Sequence, residues 1–432
     1  MDITYETYKL KNGMTIILIP NDSTYSVTVS AMVKLGSAVL ENSNTQGITH
    51  FIEHASFLST KKWPEKDLLI STSEFNGASF NGSTSKEYQS YYINIPYSKL
   101  EYGMEFIYEI LYKSILNPKY IEQERTVILD EIDRRCDDPE NRAFDYEIKK
   151  LSKYKSAYSL DVIGSKEIIA KIATDDLIKH YKTAHDPARV YLTLVGNFNQ
   201  STAKRFINKL FLQTQNQDTI VKYPKDEMAE SVIGVKTDAK TNMVFSLLAF
   251  KGKGIIETNM RDAAVNNLIE KILTGTFSSR LMKRLREKEG LLYTISSSDY
   301  EYENFGYSGI YFKVIPEKYE KTLRIVLEEL KKFSDKGITG KELVHFQEYI
   351  INRNLVVYDN IHDYSRLVKY PIFYNKDVIL LEKLNEMYKS LTIREVNLRI
   401  KDLYKLKKAS ITAYGKVGID MEDKIKNILD KA

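Results

Sequence analysis

The sequence predicts an α+β fold made of two homologous modules, each a mixed or antiparallel sheet packed with helices. Three observations carry that reading. Strand-like and helix-like stretches follow one another in the same order in both halves of the chain. The 432 residues exceed what a single core usually serves, and 43% of them are hydrophobic, enough to build more than one. A polar stretch broken by Pro224, QTQNQDTIVKYPKDEMAE, lies between the halves. The expected division is a first module at 1–215, a linker at 216–230 and a second module at 231–432.

Each element has a local reason. Apolar runs predict strands within 5–20 and over 26–36, followed by a helix around 50–54 and a β-hairpin around 77–96. Two long helices are expected at 99–114 and 120–135, the second entered through Pro118 and free of helix breakers. A helix at 174–182 and a strand at 189–197 close the first half. The second half repeats the order with a strand at 243–250, a helix at 262–273 and a hairpin at 292–315. Helices at 319–334, 341–354 and 393–404 follow, then a strand at 409–415. Thr174 and Thr392 open equivalent helices, and Gly196 and Gly415 end equivalent strands, at offsets of about 218 residues.

The chemistry concentrates in His50-Phe51-Ile52-Glu53-His54. On a helix, His50 and His54 stand one turn apart on the face that also carries Glu53, so two imidazoles can close on one ion beside a carboxylate. This HxxEH order is the inverted form of the commoner HExxH; the two histidines bind metal and the glutamate activates water. A third protein ligand is still needed. The stretch YIEQERTVILDEIDRR, residues 120–135, offers Glu124 and Glu131, two turns apart on one helix face and both within reach of such a site. No HxxEH recurs in the second half, so only the first module is equipped for metal.

HxxEH followed about 76 residues later by a glutamate, inside an E-R-x-V-I-L-x-E segment, closely resembles the pitrilysin, insulysin and mitochondrial processing peptidase family of zinc metallopeptidases. The resemblance implies zinc bound by His50, His54 and Glu131, one ion per chain, with Glu53 as general base and Glu124 supporting the site. It extends to Asn81-Gly82-Ser83-Thr84-Ser85-Lys86-Glu87 and Tyr91-Tyr92, which look like the family's active-site edge strand and its partner. Asn81, Gly82, Ser83 and Thr84 would then bind substrate backbone; Gly82 stands where the family more often has Ala. Lys283, Arg284, Arg286 and Lys288 read by themselves as a solvated basic helix end stopped by Gly290. In the family an Arg and a Tyr seven apart at this place hold the substrate and the developing oxyanion, and Arg286 and Tyr293 match them.

The resemblance also implies half of a clamshell chamber, completed by a homodimer or by a heterodimer with a related subunit. The expected function is hydrolysis of unfolded or short peptides, including removal of a leader or signal peptide. The alternative is a non-catalytic chamber or scaffold subunit that binds peptides or partners, as some relatives are. Retention of the metal set together with the Arg/Tyr pair favours the enzyme.

Bulk properties exclude other classes. A net charge of +5 from 63 basic and 58 acidic residues is too weak and too dispersed for nucleic acid. No apolar run approaches the length of a membrane span, and the N-terminal stretch lacks the apolar core of a signal peptide. The single cysteine, Cys136, permits no intrachain disulfide and fits a reducing compartment. A cytoplasmic protein is expected. The abundance of Lys, Ile, Asn and 31 Tyr suits an AT-rich bacterial coding sequence.

Overall fold

The structure, a computed structural model, describes residues 4–216, 223–291 and 294–431. The chain opens with β1 (Glu6–Lys9), β2 (Thr15–Pro20) and β3 (Ser26–Val33). A single turn, α1 (Ser37–Leu40), leads to α2 (Ile48–Ser56) and α3 (Lys66–Phe75). The hairpin β4 (Ser79–Thr84) and β5 (Gln89–Pro96) is followed by α4 (Leu100–Tyr112), α5 (Pro118–Asp137) and α6 (Pro139–Leu151). Next come α7 (Lys166–Ile169), α8 (Thr174–Ala184), β6 (Val190–Gly196) and α9 (Gln200–Leu210).

The second half starts with β7 (Ile233–Thr237), β8 (Val244–Gly252), α10 (Met260–Leu273) and α11 (Arg280–Met282). Strands β9 (Thr294–Ser297), β10 (Tyr300–Glu301) and β11 (Gly306–Val314) form its hairpin region. Helices α12 (Tyr319–Lys336), α13 (Gly340–Val357), α14 (Ile361–Phe373), α15 (Leu381–Lys389) and α16 (Ile393–Leu403) lead to β12 (Ser410–Gly415) and α17 (Met421–Leu429).

The chain forms two compact α+β units, as expected. The first unit's sheet has the order β1-β2-β6-β3-β5-β4, with β2 and β6 parallel and the other pairs antiparallel. One core joins Val27, Val29, Ile93 and Leu194 of this sheet to Met104 and Ile107 of α4 and Ile207 of α9. The second unit's sheet runs β10-β11-β8-β12-β7, with β9 also pairing β11 and with β12 and β7 parallel. Both sheets are therefore mixed.

The units do not follow the expected cut at 216–230. Residues 135–155 join the second unit and residues 359–378 join the first. Helix α6 packs on β8 and β12, and α14 packs on β6. Neither helix was predicted from the sequence, for a physical reason. The buried face of α6 carries Glu147 between Ala143 and Leu151, and that of α14 carries Ser365, with Pro371 inside the helix, so neither shows a clean apolar stripe. The expected linker is also less free than its composition suggests. Residues 217–222 lie outside the described residues, but Met228 is buried and bridges Ser152, and Asp226 accepts from the Ser152 hydroxyl at 2.6 Å.

Candidate metal centre

Helix α2 is seated by its apolar face. Ile48, Phe51, Ile52 and Ala55 recur at helical spacing and pack with Ile121, Ile128 and Ile132 of α5 and Leu177 and Tyr181 of α8. Burial of each Ile or Phe is worth roughly 1.5–3 kcal/mol, which fixes which face of α2 remains for chemistry. That face gathers His50, Glu53 and His54, with one possible ligand atom from each lying within 4.8 Å of the others.

The glutamates of α5, equivalent by spacing alone, take different places. Glu124 Oε1 lies 2.9 Å from His54 Nδ1, and its other oxygen accepts from Lys66 Nζ at 2.9 Å. Glu131 Oε2 stands 3.7 Å from His54 Nε2. That is long for a hydrogen bond, but close to the ~3.4 Å between two donors that share one tetrahedral zinc. The donors present fit zinc: His50 and His54 would hold it, Glu131 is the candidate third ligand although it stands outside the 4.8 Å group and approaches only His54, and Glu124 would orient His54 from behind. Among the described residues the buried Nδ1 of His50 has no hydrogen-bond partner, so this ring carries an unmet polar atom at the site.

The electrostatics agree with a cation site. Burial, helped by the neighbouring His54, pushes His50 down to about 3, leaving a neutral imidazole with a lone pair to give. His54 is pulled down by burial, yet its bond to Glu124 and the charges of Glu53, Glu124 and Glu131 more than offset this and raise it. Burial raises the Glu53 carboxyl, with Glu131 adding to the effect while His54 and Thr84 oppose it. Glu124 is buried too, but its bonds to His54 and Lys66 hold it below the usual carboxylate range.

Strand β4 lies beside this face and is the last strand of its sheet. Asn81, Gly82, Ser83 and Thr84 pair with Tyr92, Tyr91, Ser90 and Gln89, and the opposite edge has no strand partner among the described residues. The Thr84 hydroxyl donates to Glu53 Oε2 at 3.3 Å. Gly82 does more than replace an alanine. A Cβ at this position would lie 2.5 Å from Glu53 Oε1 and 2.9 Å from both Glu53 Cγ and the Phe57 ring, so in this arrangement glycine makes room for the carboxylate.

Of the second pair, Arg286 lies in the second unit on a π-helical turn, Lys283–Lys288, that continues α11. Its guanidinium is exposed and stacks over the Phe277 ring, 5.3 Å from the centroid. Gly290 ends the turn at φ +58, as the sequence predicts. Tyr293 lies outside the described residues. Sequence reasoning missed Glu41 and Gln89, which hold the start of α2, and Lys66, which holds Glu124; no motif marks them because their partners are backbone groups or come from distant segments.

An inverted-motif helix beside a free sheet edge, on an α+β unit that recurs in the chain, defines a class of metallopeptidase-like folds. The family description "Insulinase (Peptidase family M16)" matches residues 15–157, and "Peptidase M16 inactive domain" matches residues 171–348. The chain belongs to peptidase family M16, the insulinase family. The protein named uncharacterized zinc protease YmxG of Bacillus subtilis is 25% identical over 398 residues, 92% of this chain and 95% of that protein. An uncharacterized zinc protease of Rickettsia bellii is 27% identical over 338 residues, 78% and 79% of the two chains.

Among solved structures, a protease from Helicobacter pylori superposes with a TM-score of 0.84 at 20% identity, covering 96% of this chain and 99% of that one. The periplasmic protease PqqL from Escherichia coli gives 0.81 at 17% identity, with 99% of this chain matching 50% of that one. Among the described residues no helix is long and apolar enough to cross a membrane.

Proposed function

We propose that this chain is a zinc endopeptidase that cleaves unfolded or short peptides. The observation that carries the proposal is the gathering of His50, Glu53 and His54 within 4.8 Å, with Glu131 facing His54, beside the edge of β4 that no strand among the described residues pairs. When bound, zinc would supply a Lewis acid that polarises the scissile carbonyl and acidifies the attacking water. Glu53 takes the proton from that water and passes it to the leaving amine; its buried, raised carboxyl suits both halves of the task. Strand β4 holds an extended peptide by main-chain hydrogen bonds. Selection then rests on whether a segment can become a strand more than on its side chains.

Arg286 and Tyr293 donate to the carbonyl oxygen as negative charge develops there, the role the family resemblance implies for them. The working form in this reading is a homodimer, with a heterodimer of related subunits as the second possibility, in a bacterial cytoplasm. A leader or signal peptide is the proposed physiological substrate. Removal and return of metal tests the core of the proposal. Chelation should abolish hydrolysis of a quenched fluorogenic peptide, and about one zinc per chain should restore it. Undiminished hydrolysis by metal-free protein would reject it.

A further inference from the structure

The helix that carries His50, Glu53 and His54 is not capped by its own sequence. It is preceded by Gly47 at φ +89, and a Cβ there would stand 2.6 Å from the Ile163 carbonyl oxygen and 2.7 Å from the Gly164 Cα. The close approach excludes the serine, threonine or aspartate that would ordinarily accept the N–H groups of a first turn. The acceptor instead comes from six residues upstream. Glu41 Oε2 accepts from Gly47 N and Oε1 from Thr49 N, both at 2.9 Å, and Glu41 is buried, with 8% exposure. Both carboxyl oxygens thus hold the start of α2.

The other end of the same segment is tied to the peptide-binding edge. Ser37 N donates to the Ser85 carbonyl at 3.0 Å and Ala38 N to the Lys86 carbonyl at 2.9 Å, directly after β4 ends. Glu41 N donates back to the Ser37 carbonyl at 3.0 Å, closing the single turn of α1. From the far side, the Gln89 side-chain amide donates to the Thr49 carbonyl at 2.9 Å, so the Thr49 peptide groups are held from two directions. Residues 37–41 therefore bracket the end of β4 to the start of α2, with Glu41 as the joint.

We propose that Glu41 is a positioning residue that sets the metal-binding helix against the peptide-binding strand, so that the ligands and the bound peptide bond meet in fixed register. It acts through the backbone of Gly47 and Thr49. The inference rests on the zinc-peptidase reading for its consequence in catalysis. Its consequence for the metal site can be read without any substrate.

Two variants of the full chain test it. Glu41→Gln keeps the size but offers one acceptor to two N–H groups; Glu41→Asp keeps both acceptors on a shorter stem. Each is loaded with Co(II) in place of zinc and compared with wild type by visible absorption and melting temperature. The zinc forms are compared by kcat and KM on a fluorogenic peptide. Glu41→Gln should bind one metal per chain, melt within a few degrees of wild type and show altered cobalt d–d bands. It should lose about tenfold in kcat with KM changed less than about threefold, because reacting groups are misplaced rather than binding lost. Glu41→Asp should fall between it and wild type. Wild-type bands and kcat in a folded, loaded Glu41→Gln overturn the proposal, as does loss of the fold in both variants, which makes Glu41 purely structural. If wild type binds cobalt yet cleaves no peptide, the peptidase reading fails while the cobalt comparison still decides the role of Glu41.

Discussion

At the scale of the residue, the centre divides into what a local motif reveals and what only packing reveals. His50, Glu53 and His54 were legible because helical geometry alone puts them on one face. Glu124 and Glu131 were legible as a pair but not as individuals; their roles separate only when one oxygen of Glu124 meets Lys66 and Glu131 meets the far nitrogen of His54. Glu124→Gln should therefore weaken zinc binding by about 10- to 100-fold in a chelator competition while leaving the fold intact, the usual effect of loosening a ligand's support. Gly82 makes a different demand. Gly82→Ala drives a methyl group against the Glu53 carboxylate, so zinc content should stay near one per chain while kcat falls by about tenfold or more. Parallel metal analysis and peptide hydrolysis separate the two effects. Unchanged kcat in Gly82→Ala would mean that Glu53 does its work from another position.

At the scale of the element, the sequence was readable where one face is uniformly apolar and opaque where a polar group is buried. Helix α2 shows the first case. Helix α6 shows the second, since Glu147 lies fully inside the second unit and burial pushes its carboxyl up to about 8, with Thr412 opposing and Glu140 adding to the rise. One oxygen of Glu147 has no hydrogen-bond partner among the described residues. Because the folded value lies above the ordinary 4.5, the contribution of this group to stability is fully present below that pH and is lost as pH rises through about 8. Wild type should thus lose stability between pH 5 and pH 9 by an amount on the order of a few kcal/mol that Glu147→Gln does not lose. Urea unfolding at a series of pH values checks this. Parallel curves for the two proteins would show that Glu147 ionises without cost.

At the scale of the whole molecule, the duplication was visible in the sequence because corresponding strands and helices recur in order, but the exchange of α6 and α14 between units was not. No local pattern reports which sheet a helix covers. A fragment of residues 1–224 lacks 359–378 and with it the α14 contact to β6, so it should melt without cooperativity, and fusing residues 359–378 through a flexible linker should restore a transition. If the proposed dimer shares sites, mixing inactive Glu53→Gln with inactive Arg286→Ala should return up to about half of normal activity per mixed dimer, once subunit exchange is shown. A fully active monomer would reject sharing and leave the zinc chemistry untouched. The central claim, a metal centre whose general base is Glu53, has a more direct test in Glu53→Gln. Metal analysis and peptide hydrolysis on the same preparation should find about one zinc per chain and a rate reduced by about 10²–10⁴-fold; zinc retained with wild-type hydrolysis would contradict the account.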